Sequence, residues 1–408
     1  MNNDNRNDWQ ESKLGEVAEK FAMGPFGSNI KADNFVAFGV PVIRGTNLNY
    51  AKYVGGDFVF LTEEKADQLK SSNCFPGDLV FTHRGTLGQV GLIPEGHFNR
   101  YVISQSGMKL SVKKDILDKD FLFYFFKSSV GMHELLQHEA QVGVPSISNP
   151  LTSLKSVNIL LPPIPEQRAI ADVLSSLDDK IDLLNRQNKT IEALAATLWR
   201  KMFVENADPN WKKGKLGDFI ASIETGRRPK GGIDPNLDVG IPSVGAENVN
   251  GIGNYEYGKT KYITEEYFNQ MNTGIIQNYD ILIYKDGAYI GKKSMFANGF
   301  PYKKCCINEH VFLLRTGKVN NQLFLYFVLE QEELEQLNAN SAQPGLNQEA
   351  LKSFEIVIPP EDVIADFGSK VGPFIDKIFA NSIQIRTLST LRDSLLPKLM
   401  SGEVRVKV

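Results

Sequence analysis

From Ile170 onward the apolar residues fall at alternating steps of four and three: Ile170, Leu174, Leu177, Ile181 and Leu184, then Asn188, Ile191, Ala195, Leu198 and Met202. This is the seam of a heptad repeat, in which one stripe of a helix faces a partner helix. Adding 197 to each number gives a second seam: Phe367, Val371, Phe374, Ile378, Asn381, Ile385, Leu388, Arg392, Leu395 and Leu399. Each predicted helix reaches about 48 Å at about 1.5 Å per residue. That outreaches a small domain, so the two helices are expected to pair with each other.

Connectivity predicts the direction of pairing. Domain termini lie close together, so the segment between the helices should leave the far end of the first and return near it, which makes them antiparallel. Setting Asn188 against Asn381 matches the two amides and places Ala195 opposite Phe374. A parallel pairing would face each amide with an aliphatic side chain, at a cost of about 1–3 kcal/mol each. In the antiparallel register Arg392 falls opposite Leu177, within reach of Asp178 or Asp179.

The rest of the chain also repeats. At an offset near 202, Trp9 aligns with Trp211, and Lys13-Leu14-Gly15-Glu16 with Lys215-Leu216-Gly217-Asp218. Gly77-Asp78-Leu79-Val80-Phe81 answers Tyr279-Asp280-Ile281-Leu282-Ile283, and Leu122-Phe123-Tyr124-Phe125 answers Phe324-Leu325-Tyr326-Phe327. So long a period is a tandem duplication of a whole domain with its connector, not a solenoid. In each copy short apolar runs (Asp78–Thr82, Val90–Ile93, Asp280–Tyr284, Val311–Leu314) lie between Gly, Pro and Asn clusters and read as strands. Helices are predicted over Phe121–Gln141 and Gln322–Asn338. Double prolines at Pro162-Pro163 and Pro359-Pro360 mark the junctions with the long helices. The fold class is α+β, with the segments 1–160, 161–206, 207–357 and 358–408 as first body, first long helix, second body and second long helix.

Composition narrows the class. With 42% hydrophobic, 10% aromatic and 23% charged residues over 408 positions, the chain can bury real cores and is not disordered or fibrous. No run approaches a membrane span, and the opening MNNDNRNDWQ is polar, so a cytoplasmic protein is expected. Cys74, Cys305 and Cys306 make neither a disulfide framework nor a Cys-x-x-Cys pair. A net charge of −3 argues against wrapping nucleic acid by charge alone.

Catalytic motifs are missing. His133 and His138 are five residues apart, so on a helix they diverge by about 140° and cannot share a metal. Gly85-Thr86-Leu87-Gly88-Gln89-Val90-Gly91 lacks the Lys-Ser/Thr of a phosphate loop. No Asp follows a proline, as a nuclease signature needs, and Glu11-Ser12-Lys13 is a fragment that chance supplies freely. No Asn-Pro-Pro-aromatic motif occurs. What remains is polar and basic residues interleaved with glycine at equivalent loops of both copies. Arg and Lys bind phosphate or guanine, and Asn reads adenine. The candidates for DNA contact are Lys31, Arg44, Asn47, His83 and Arg84 in the first copy. In the second they are Arg227, Arg228, Lys230, Asn248, Lys285, Lys292 and Lys293.

The run from Leu161-Pro162-Pro163-Ile164-Pro165-Glu166-Gln167-Arg168 to Leu177-Asp178-Asp179-Lys180-Ile181-Asp182 resembles the first central helix region of the specificity subunit of type I restriction-modification enzymes. Ile358-Pro359-Pro360 through Ile375-Asp376-Lys377-Ile378, and the ending Leu395 to Val406, resemble its second region. Gly24-Pro25-Phe26-Gly27-Ser28 and Gly77-Asp78-Leu79-Val80-Phe81 look like its target-recognition-domain patterns. The resemblance spans essentially the whole chain. One departure, Pro360-Glu361-Asp362-Val363, makes a different start for the second helix an expectation.

This resemblance implies a non-catalytic reader of double-stranded DNA with pseudo-two-fold symmetry. Each target-recognition domain would read one half of a bipartite site, with the antiparallel coiled coil setting the gap. Two methylation subunits would dock on the helices, and motor-nuclease restriction subunits would join them. S-adenosylmethionine, ATP and Mg would sit on those partners, with no cofactor or metal in this chain. The alternatives are a specificity subunit of a related two-part or methylation-only system, an enzyme with unfamiliar motifs, and a protein scaffold.

Overall fold

A computed structural model describes residues 8–27, 29–48, 52–140, 143–331, 334 and 345–407. The chain forms two compact units, Met1–Asp182 with Leu388–Val408, and Leu183–Thr387. Each unit takes one part of each long helix.

In the first unit the strands Ala18–Met23, Gly107–Val112, Leu79–Thr82 and Val90–Leu92 form an antiparallel sheet in that order. A second sheet orders Val59–Leu61, Val40–Ile43, Tyr101–Ile103 and Asn73–Cys74, with Val42 pairing Val102 in parallel. The second unit repeats the first of these sheets with Ser222–Thr225, Val311–Arg315, Asp280–Tyr284 and Lys293–Phe296. Its other sheet has three strands, Lys261–Ile263, Ile241–Val244 and Cys306–Ile307. A two-stranded ribbon closes each body just before its long helix, Gln10–Lys13 against Asn158–Leu161 and Lys212–Lys215 against Glu355–Ile358. Mixed sheets with helices packed on them are the α+β arrangement that the apolar runs predict. The three cysteines are buried and free.

The sheets are held at equivalent points by a buried carboxylate. Asp78 accepts from Phe75 N at 3.0 Å, Lys109 Nζ at 3.0 Å and Ser111 Oγ at 2.6 Å. Asp280 accepts from Gln277 N at 2.8 Å and takes both Nε and Nη2 of Arg315, at 2.7 and 2.6 Å. The residue before each is left-handed, Gly77 at φ 90° and Tyr279 at φ 65°. Glycine adopts this conformation freely, whereas a tyrosine there is strained. Tyr279 is held by its hydroxyl, which donates to Asp376 on the second long helix.

The helix predicted over Phe121–Gln141 is instead two, Lys119–Lys127 and Ser129–Leu136. Ser128 breaks it: its hydroxyl accepts from Gly131 N at 3.2 Å and caps the second helix. Gly131 is required there, because a Cβ would stand 2.0 Å from Phe125 O. Gln141 lies outside the described residues. In the second unit Val319–Gln331 is helical, while 332–333 and 335–338 of the predicted span lie outside the described residues.

The long helices run Ile164–Arg200, continued by a π-helical turn at Lys201–Glu205, and Glu361–Met400. Each begins directly after its double proline and at corresponding residues, so the expected difference of the second helix does not lie in where it starts. What differs is the first turn. Gln167 Nε2 donates to Ile116 O and Pro162 O, and Gln167 Oε1 accepts from Asp118 N, all at 2.9 Å. Its counterpart Ile364 is buried at 2% exposure and packs in an apolar core instead.

Within each unit the two helices run antiparallel. In the first, Asp178 meets Arg392 at 2.7 Å and Glu166 meets Arg405. In the second, Asn381 Nδ2 donates to Asn188 Oδ1 at 2.9 Å, and Phe203 lies edge-on to Phe367 with ring centres 5.2 Å apart. Asn188 also donates to Ser382 Oγ at 3.2 Å. Arg392 thus finds an acid, which also accepts from Tyr124 OH at 2.8 Å. The seam residues Ile170, Leu174, Leu184, Phe367, Val371, Ile378, Asn381 and Leu399 are buried, and Leu177, Ile181, Asn188, Ile191, Leu198, Phe374, Ile385, Leu388 and Leu395 are half-buried.

Asn381→Leu alone should lower the unfolding free energy by about 1–3 kcal/mol, because Oδ1 of Asn188 loses the Asn381 donor. Leucine at both positions should recover most of that loss, as urea unfolding will show; equal stability of the single variant would refute a coupled layer. The Lys109 and Asp78 side chains are only 7% and 8% exposed. Asp78→Ala strands a buried ammonium and should cost about 3–5 kcal/mol by the same measurement.

Candidate nucleic-acid interface

The loops carrying the predicted contacts are built on one scaffold used twice. In the first unit the amide of Asn47 accepts from Arg44 N at 2.9 Å and donates to Gly55 O and Asp57 O at 2.9 and 3.1 Å. In the second, Asn248 accepts from Gly245 N at 3.4 Å and donates to Glu256 O at 3.0 Å. Both asparagines are 1% exposed. This corrects their choice as candidates for DNA contact: their amides are engaged in shaping the loop, and burial keeps the side chains from a groove.

The next loop is anchored as alike. His83 N donates to Ser106 O, and Ile147 N to His83 O, each at 2.9 Å; Lys285 N donates to His310 O at 3.0 Å, and Leu346 N to Lys285 O at 2.8 Å. The glycine loops press on a neighbouring strand end in both units. A Cβ on Gly24 would stand 1.8 Å from Ser104 O, and one on Gly226 2.1 Å from Ile307 O. Only glycine permits that approach.

On this shared scaffold the side chains differ. In the first unit Lys31, Arg44 and Arg84 are exposed, and Arg44 makes one long bond to Asp57 O at 3.4 Å. His83 is buried, with Nε2 3.1 Å from Gln105 O. Since a carbonyl only accepts, Nε2 carries the proton. Burial pulls the His83 pKa below its ordinary value, which keeps the ring neutral near pH 7 with Nδ1 as an acceptor. His83 and Arg84 line an open cleft of about 810 Å³ together with Phe26, Asn29, Gln68, Gln105 and Ser106. Lys31, Arg44 and Asn47 are not among its lining residues. Ser28, in the same glycine loop, lies outside the described residues.

In the second unit Arg227, Arg228, Lys230 and Lys292 are exposed and Lys285 and Lys293 half-buried. Several are engaged. Arg228 Nε lies 3.2 Å from Glu309 Oε1. Lys292 Nζ sits 4.3 Å from the Tyr289 ring centre and Lys285 Nζ 5.0 Å from that of Phe312. Lys293 begins the strand paired with Asp280–Tyr284. His310 Nδ1 bonds Asp286 Oδ2 at 2.7 Å, and its Nε2 lies 3.4 Å from Glu309 Oε1. Sequence reasoning passed over these acids, and also over Phe26 and Gln105. Phe26 did carry a signal, an aromatic set between glycines in a polar loop.

Among the described residues no group of three His, Cys, Asp or Glu could hold a metal ion, and no helix is long and apolar enough to cross a membrane.

The molecule is similar along most of its length to known proteins. It is 25% identical over 431 aligned positions to the type I restriction enzyme MjaIX specificity subunit of Methanocaldococcus jannaschii, covering 98% of this chain and 94% of that one. With the HindI specificity subunit of Haemophilus influenzae it shares 24% identity, over 80% of this chain and 86% of that one. The crystal structure of the type I restriction-modification S subunit from M. genitalium has the same fold, with a TM-score of 0.63 at 16% identity, covering 98% and 97% of the two chains. The model of the type I restriction modification DNA specificity domain matches twice, over residues 6–193 and 209–384. With two copies spanning most of its length, the chain belongs to the type I restriction modification DNA specificity domain family.

Proposed function

We propose that this chain is the non-catalytic DNA-reading subunit of a type I restriction-modification complex, each unit reading one half of a bipartite double-stranded site. The observation that carries the reading is the repetition of one DNA-specificity domain with a common loop scaffold and different side chains at the loop tips. A common scaffold presents each reader to its duplex in the same way, and different tips read different bases. In the first unit Arg84 and the neutral His83 offer a cation and an acceptor beside Gln105. In the second, Asp286 and Glu309 lie beside Arg228 and Lys285, which suits base edges that carry amino groups.

The long antiparallel helices are the spacer between half-sites and the docking surface for two methylation subunits, with motor-nuclease subunits added for restriction. S-adenosylmethionine, ATP and Mg belong to those partners. With a net charge of −3, the chain leaves much of the cationic clamp around the phosphates to them, so its own DNA binding is weak and salt-sensitive.

Co-expression with the host's methylation subunit in a strain lacking adenine methylation, followed by long-read mapping, should yield a two-part motif with a fixed gap. A stable complex without any methylated motif would refute DNA reading. Inserting one heptad in each long helix should lengthen the gap by about three base pairs; an unchanged gap would remove the spacer role.

A further inference from the structure

We propose that Phe26 is an aromatic wedge that stacks into a base step of the half-site read by the first unit, a device absent from the corresponding position of the second unit, which holds Arg228. This rests on the DNA-reading role and adds to it a residue and a mode of contact.

Phe26 is 86% exposed, although burying a phenylalanine side chain is worth about 1.5–3 kcal/mol. The ring is not left outside by a loose chain. Its loop is hydrogen-bonded from Gly24 N to Gly107 O and from Asn29 N to Phe26 O, both at 2.8 Å. Glycines seat it on either side: a Cβ at Gly24 would meet Ser104 O at 1.8 Å, and one at Gly27 would meet Gln105 Oε1 at 2.4 Å. The backbone therefore presents the ring from an anchored turn.

The surroundings identify the occupant by charge. Phe26 is one of 17 described residues lining the cleft of about 810 Å³, and none of those 17 is Asp or Glu, although 48 of the 408 residues in the chain are acidic. Arg84 supplies a cation there, and Gln105 and Asn29 supply amide groups. A largely apolar cleft with a cation, amide groups, no acid among its described lining residues and a projecting ring fits a polyanion that has flat apolar faces, which is stacked bases flanked by phosphates. Apolar side chains that enter a duplex partly unstack a step and kink it. At the corresponding place of the second unit stands Arg228, held by Glu309 at 3.2 Å, which can contact an edge or a phosphate but cannot wedge.

The test uses the complex of the full chain with its methylation subunit and a duplex carrying the methylated motif, with 2-aminopurine placed in turn at each step of both half-sites. Apart from the target adenines and their neighbours, which a methyltransferase turns out of the stack in both half-sites, binding should raise the fluorescence at one step of one half-site only. Phe26→Ala, at an exposed position, should leave the melting temperature unchanged. It should abolish the rise and weaken binding by about tenfold to a hundredfold. Phe26→Trp should restore both, and Arg228→Ala should leave the rise intact. If the parent complex binds its motif but no step away from the target adenines brightens, or Phe26→Ala binds and brightens like the parent, the wedge is wrong while DNA reading stands. If the parent complex methylates and binds no motif, the reading falls and the wedge with it.

Discussion

Each long helix carries more apolar surface than a single partner helix can cover, and the architecture follows from that excess. A heptad seam hides one stripe. In the first helix, however, Ala171 and Trp199 are also buried, and in the second so are Ile364, Ile375, Phe379 and Leu396. These residues join the cores of the bodies: Phe379 stacks on Phe300 with ring centres 5.7 Å apart, while Ala171 and Leu396 pack in the core of the first unit. Each helix is therefore clamped on two sides within each unit. Polar groups add direction to this non-directional attachment. Gln167 ties the first turn of one helix to its body, and Asp376 receives both Tyr279 and Asn298 on the other.

With the helices so held, the bodies can use a stiff frame and vary only its tips. Asn47 and Asn248 satisfy the backbone of two equivalent turns from within, a use of the amide that leaves nothing for a ligand. The side chains at neighbouring positions diverge: Arg84 corresponds to Asp286, His83 to Lys285 and Phe26 to Arg228. Duplication of a scaffold with divergence at its rim lets one fold present two chemistries.

Much of this was legible along the chain. The two seams, the antiparallel direction and the matching of Asn188 with Asn381 follow from periodicity and from the expense of unpaired amides. The doubled bodies follow from the offset near 202. The continuous helix predicted over Phe121–Gln141 failed because a serine cap and one close glycine contact at Gly131 outweigh a good apolar run. The choice of Asn47 and Asn248 as readers failed because residue type alone does not tell whether an amide faces a ligand or its own backbone.

By itself, then, the sequence determined the repeat, the long helices and their register, since periodicity and length act locally and at fixed offsets. Tertiary structure alone decided which polar residues face outward. Burial and hydrogen-bond commitment depend on partners far apart in the chain: Ser104 and Gln105 against the glycine loop at Gly24 and Gly27, Gln105 O against His83, and Glu309 against Arg228. No local pattern records those distances.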